Sequence, residues 1–231
     1  MIWSDLGFLL SKVRYNENSL ICEFFTKDHG KSTGIVFGGT SKKIKNYLQI
    51  GNKFFINYTA KTDNRIGHFK VEIERALSPL YFDEKHKLSC IICAMQMIKL
   101  LNAESQRNYD VFQLIDNFYT ILESTDWLTK YIFWELELFK ILGYDLEFKS
   151  LTNKILEDQK VIYVSKSNVG KKIIPNFLID KSQKPDNFNN LLEGLKLLGE
   201  YLEKSILRPN NLSLPLNRIN FINLLKSSKF H

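Results

Sequence analysis

The stretch Gly67-His68-Phe69-Lys70-Val71-Glu72-Ile73-Glu74 decides the fold class of the first part of the chain. Its side chains alternate, with Phe69, Val71 and Ile73 at one parity and His68, Lys70, Glu72 and Glu74 at the other. Period two of this kind marks a strand with one face in a core and one in water. Working back from it, Lys53 to Lys61 (K-F-F-I-N-Y-T-A-K) predicts the preceding strand. Gly7 to Val13, Leu20 to Phe25 and Lys31 to Phe37 are β-rich runs as well. Tyr15-Asn16-Glu17-Asn18 separates the first two, and Asp28-His29-Gly30 forms a tight turn in which Gly30 can take positive φ. Five short strands in about 75 residues suggest a small closed barrel rather than a sandwich.

Working forward, the period changes to 3.6 after Pro79. Residues 84–102, 107–123 and 127–142 carry apolar positions at helical spacing. Ser124-Thr125-Asp126 offers capping oxygens to the third of these helices, and Gly143 supplies a stop. That helix is apolar over most of its circumference, as expected of the central member of a bundle. Residues 144–186 read as irregular, with Tyr163-Val164 as a strand candidate and Pro175 and Pro185 as breakers. A last long helix runs from Asn187 to Leu207 and ends at Pro209, with a short helix near Leu216–Leu225. The expected division is a barrel over 1–78 and a helical domain over 79–231.

Of the 231 residues, 44% are hydrophobic and 25% charged, a balance that supports a packed core and argues against disorder. Apolar runs such as Leu88 to Ile98 are interrupted well short of a membrane span, and the opening Met1-Ile2-Trp3-Ser4-Asp5 lacks the pattern of a signal peptide. A cytoplasmic protein is therefore expected. Three cysteines argue against a disulfide framework. The net charge is +7, and residues 1–80 hold 12 Lys/Arg against 7 Asp/Glu, a local excess of +5. Such a concentration fits an electrostatic footprint on nucleic acid, and it equally fits a lysine-rich soluble surface.

Gly38-Gly39-Thr40-Ser41-Lys42-Lys43-Ile44-Lys45 is the clearest candidate site. Its glycine pair permits close backbone approach, and the three lysines after it would neutralise phosphates if exposed together. Lys31, Lys53, Arg65 and Lys70, on neighbouring strands and turns, extend the candidate DNA contacts. Tyr47, Phe55 and Tyr58 are either stacking faces for bases or core residues. His86, Cys90 and Cys93 share a helix and read as core packing, because zinc normally requires a fourth ligand and no second pair accompanies them. Gly170-Lys171-Lys172 lacks the earlier glycine of a phosphate loop, Ser165 standing there. With no Gly-x-Ser-x-Gly, no catalytic histidine spacing and no nuclease-like carboxylate cluster, neither a catalytic residue nor a cofactor is expected.

These residues resemble the RecO family, in particular its alphaproteobacterial branch. The shared features are Trp3-x-Asp5-x-Gly7-Phe8-Leu9-Leu10, Glu17-x-Ser19-x-Ile21, Phe25-Thr26-x-x-x-Gly30 and Gly38-Gly39-x-Ser41-Lys42-Lys43. Leu48-Gln49-x-Gly51, Trp134-Glu135-Leu136-x-Leu138-x-x-x-Leu142-Gly143-Tyr144-x-Leu146, Tyr163-Val164-Ser165 and Glu193-Gly194-Leu195 follow in the same order. The resemblance implies an α+β multidomain protein, with a five-stranded OB-fold barrel ahead of an all-α helical-bundle domain. It also implies binding of single- and double-stranded DNA, strand annealing, and work with RecR to load RecA where single-strand-binding protein coats DNA. By position, Lys42, Lys43 and Lys45 would be the leading phosphate contacts. Lys130 and Lys140 are candidates for receiving the acidic tail of single-strand-binding protein. The four-cysteine zinc module of many relatives has no counterpart, since residues 144–186 contain no cysteine, so no metal is expected. Thr40 stands where an arginine is common. The competing expectation is an RNA-binding OB module of RNA processing or translation.

Overall fold

The computed structural model describes the chain apart from residues 63–65, 145, 147, 149–151, 158–159, 166–171 and 228–231. The strands are β1 (Ile2–Arg14), β2 (Ser19–Thr26), β3 (Gly30–Phe37), β4 (Lys53–Thr59) and β5 (Gly67–Arg75). They close into a barrel in the order β1-β2-β3-β5-β4. β1 is long enough to serve two neighbours: Ile2–Phe8 pairs with β4, and Gly7–Arg14 pairs with β2. β3 and β5 close the barrel through a short parallel seam, Gly34 with Gly67 and Ile35 with His68.

Inside the barrel lie Leu9, Cys22, Phe24, Val36, Phe54, Ile56, Phe69 and Val71. A register shift between Leu9 and Ser11 interrupts the alternation of β1, as a bulge does. Phe8, Leu9 and Leu10 are consequently all buried. Leu9 faces inward, whereas the Phe8 ring lies 5.4 Å from that of Phe112, outside the barrel. Gly30 takes φ +66° as expected, and Gln106 approaches so closely that a Cβ at Gly30 would overlap its carbonyl.

Phe112 belongs to α3 (Tyr109–Glu123), which follows α1 (Lys42–Tyr47) and α2 (Lys85–Leu101). The first compact unit spans Met1–Tyr119, so α2 and most of α3 belong with the barrel, and the division falls there rather than at 78/79. The physical reason is that the outer surface of β1 is itself apolar and needs covering. Tyr119 fixes the attachment by donating a 2.5 Å hydrogen bond to the carbonyl of Gly51. Cys90 and Cys93 are buried in α2, consistent with core packing.

The second unit, Thr120–His231, centres on α4 (Trp127–Ile141). Tyr131, Ile132, Trp134, Leu138 and Phe139 are buried along it, and Gly143 ends it at φ +83°. The expected side-chain cap is replaced. Ser124 donates back to the Ile121 carbonyl, while Asp126, at the cap position, holds Lys130 at 2.9 Å. The Lys130 ammonium keeps the Asp126 carboxyl below the usual carboxylate range.

The described part of 144–186 contains regular structure where an irregular segment was expected. Among the described residues, β6 (Thr152–Glu157), β7 (Lys160–Ser165) and β8 (Ile173–Ile174) form a three-stranded antiparallel sheet, followed by the short α5 (Asn176–Ile179). The second unit is therefore helical with one small sheet, where an all-α bundle was expected. Strands this short lack the length over which alternation becomes legible. α6 (Phe188–Tyr201) continues through a π turn (Leu202–Leu207) and a 3-10 turn (Arg208–Asn210) containing Pro209, and α7 (Leu216–Ser227) follows. Arg218 of α7 and Glu135 of α4 form an ion pair, both with fully buried side chains.

Candidate nucleic-acid interface

Glycine and hydroxyl residues build a lysine platform at the end of β3. Gly38 adopts φ +68°, a left-handed turn that residues with a Cβ rarely take, and so redirects the chain away from the strand. Thr40 is pinned by donating to the Glu17 carbonyl at 2.8 Å, and the Ser41 side chain caps α1 by accepting from the Ile44 amide. The segment 42–47 follows this cap. It forms a helix because Ile44, Tyr47 and the buried Leu48 pack against the barrel core and hold the turn in place.

That packing turns Lys42, Lys43 and Lys45 to solvent, and among the described residues none of the three forms an ion pair. Glu17, exposed on the β1–β2 turn, anchors this loop through its main-chain carbonyl. Lys12 stands behind the platform, its ammonium donating to the Leu48 carbonyl and to Gln49. Burial lowers its affinity for the proton below the ordinary lysine range; the Cys22 thiol opposes this and Lys45 adds to it.

The other expected DNA contacts separate into distinct roles. Lys70 is exposed on the outer face of β5, with the Glu72 carboxylate 4.0 Å away. Lys53 is withdrawn: its ammonium pairs with Asp116 at 2.9 Å and lies 5.3 Å from the ring centroids of both Phe8 and Phe112. Lys31 is also taken up internally, donating to the Lys99 carbonyl at 3.1 Å, with Glu104 at 3.9 Å. Sequence places both among the phosphate contacts, whereas the structure engages their ammonium groups internally, Lys31 with Lys99 and Glu104 and Lys53 with Asp116, partners too distant in sequence to be foreseen. Arg65 lies outside the described residues. On α4, Lys130 is exposed but held by Asp126, and Lys140 is exposed.

The aromatic candidates divide likewise. Tyr47 packs on the barrel core, and Tyr58 stacks on Trp3 at 4.8 Å while its hydroxyl accepts from the Gly67 amide. Phe55 is 40% exposed. More open is Phe37, which sequence reasoning assigned only to a strand: it is 61% exposed, and its ring lies 5.7 Å from that of His68.

The end of the barrel formed by the β2–β3 turn has a different character. Trp3 is sandwiched between His29, 4.1 Å away, and Tyr58. Buried Asp5 orders this corner by accepting from the amides of Leu6 and Asp28 and holding His29 Nδ1 at 2.9 Å. A cleft of about 490 Å³ opens here, and its lining includes the carboxylates of Asp28 and Glu104 beside Met1 and His29, a setting that does not suit a phosphate. Among the described residues, no group of three or more His, Cys, Asp or Glu is placed to hold a metal, and no helix is long and apolar enough to cross a membrane.

A closed five-stranded barrel with this strand order, carrying a helix between its third and fourth strands, is an OB-fold. The chain is thus an OB-fold protein with a second, mainly helical unit. Residues 1–75 match the sequence model of the family described as Recombination protein O N terminal. Similarity to curated proteins extends over almost the full length. DNA repair protein RecO of Cereibacter sphaeroides is 30% identical, with 97% of this chain and 98% of that protein covered. Those of Bartonella quintana (28% identity, 98% of each chain) and Rhodospirillum rubrum (26% identity, 97% of this chain and 96% of that one) align similarly. The chain belongs to the RecO family of DNA repair and recombination proteins.

Proposed function

We propose that the protein is a non-catalytic recombination mediator that binds single- and double-stranded DNA through its barrel and anneals complementary strands. In this reading it acts in the cytoplasm on chromosomal DNA. With RecR, it helps RecA load where single-strand-binding protein covers the strand. Lys42, Lys43 and Lys45 are its principal phosphate contacts, with Lys70 beside them. Lys130 and Lys140 receive the acidic tail of single-strand-binding protein. The observation that carries the proposal is the lysine platform: three exposed ammonium groups on one short helix, with no ion-pair partner among the described residues. Groups in that state exchange counterions for phosphates when a strand arrives, which makes binding tight at low salt and weak at high salt.

The test is annealing of complementary oligonucleotides coated with single-strand-binding protein, with and without RecR. Acceleration by the protein, and recovery of RecA loading when RecR is added, are expected. A protein that binds neither strand form at low salt, or that degrades DNA in the presence of magnesium or manganese, contradicts the proposal.

A further inference from the structure

The exposed rings of Phe37 and His68 stand at the parallel seam of the barrel. The register brings Ile35 of β3 opposite His68 of β5. Side chains two positions further along each strand return to the same outward face, and those are Phe37 and Lys70. Both point to water: Phe37 is 61% exposed and the Lys70 side chain 78%. Immediately after Phe37, the Gly38 turn leads into the helix of Lys42, Lys43 and Lys45. The aromatic pair thus neighbours a lysine on β5 and leads, across the Gly38 turn, into the helix that carries three lysines. Further round the same outer face, Val13 is exposed, and Ile21 and Ile35 are half-buried, all paired in cross-strand register.

We propose that Phe37, with His68 beside it, is the base-stacking platform on which single-stranded DNA lies while the flanking lysines hold its phosphates. Chemical complementarity singles out this occupant. A single strand is the ligand that offers flat apolar bases and regularly spaced anions together, and both complements occur here on one face. Duplex DNA hides its bases and can use only the lysines. The platform therefore favours single strands over duplex through contacts that do not depend on salt. The inference rests on the function proposed above and adds to it the residues that distinguish the two DNA forms.

The experiment compares Phe37→Ala, Phe37→Trp and His68→Ala with the unmodified full chain, using a single-stranded oligonucleotide, the same strand with abasic sites, and the duplex. Phe37→Ala is expected to weaken single-strand binding by about tenfold, leaving duplex binding and the salt slope unchanged. Phe37→Trp should retain affinity, and His68→Ala should lose less than Phe37→Ala. Abasic strands should bind the unmodified protein about as weakly as intact strands bind Phe37→Ala. Thermal unfolding of each variant checks that the barrel is intact, as expected for a side chain so open to water. Equal loss on single strand and duplex, or no loss on either, overturns the platform while leaving lysine-mediated binding in place. Failure of the unmodified protein to bind any DNA would instead remove the underlying functional reading.

Discussion

Arg218 and Glu135, 83 residues apart in sequence, meet with both side chains fully excluded from water. Arg218 donates to Glu135 Oε1 through Nη1 and to the Leu195 carbonyl at 3.1 Å through Nη2. Tyr131 donates to the same Glu135 oxygen at 2.5 Å. One guanidinium thereby ties α4, α6 and α7 together. Removing one partner of such a pair leaves a charge stranded in an apolar interior, which typically costs about 3–5 kcal/mol. Arg218→Met or Glu135→Leu alone should therefore lower the urea midpoint strongly, and the double substitution should recover much of the loss. A double variant no more stable than either single one would contradict this account.

Replacing Lys42, Lys43 and Lys45 by Ala should lower the salt slope of DNA binding by roughly 2–3 units. Because all three side chains are in water, thermal stability should change little. The measurement is a fluorescence titration over a range of salt concentrations. An unchanged slope would take the platform out of the interface.

Lys53→Ala serves as the opposite case. Its ammonium is engaged by Asp116 and two rings inside the first unit. The substitution should destabilise the protein by about 1–2 kcal/mol, through lost packing and a lost charge-assisted bond. The salt slope should stay as it was. Chemical denaturation and the same titration separate the two effects.

Cys22, within the barrel core, provides a test in alkaline solution. Burial pushes its thiol from 9.0 up to about 12, against the opposing pull of Lys12. The folded state retains this proton where the unfolded chain has released it, so stability should fall as pH rises from about 9 towards 12. Cys22→Val should flatten that part of the stability curve, and native protein at pH 8 should resist thiol reagents at this position until it unfolds. Rapid labelling of Cys22 in the folded protein would refute its placement.

The strands of the barrel were legible because each presents one face to a core, and period two survives in even eight residues, as Gly67–Glu74 illustrates. α2, α3, α4 and α6 were legible from the longer 3.6 period. What escaped depends on distant partners. α1 has three lysines in six residues, and its helicity comes from Ile44 and Tyr47 docking on a barrel that local spacing does not reveal. The fate of Lys53 is decided by Asp116, 63 residues away, and that of Glu135 by Arg218. Phe37 was hidden for another reason: an aromatic ending a strand looks the same in sequence whether it turns inward or outward, and only the seam with β5 distinguishes the two.

The double service of β1 has a consequence for synthesis. Its amino-terminal half finds its partner only in residues 53–59, although its carboxy-terminal half can pair as soon as β2 exists. A nascent chain that has left the ribosome as far as β3 therefore carries a three-stranded sheet with an open, apolar edge. Such edges recruit other unfinished chains. Translational pausing between β3 and β4 should therefore favour aggregation of the product, and rapid passage through the lysine helix should protect it.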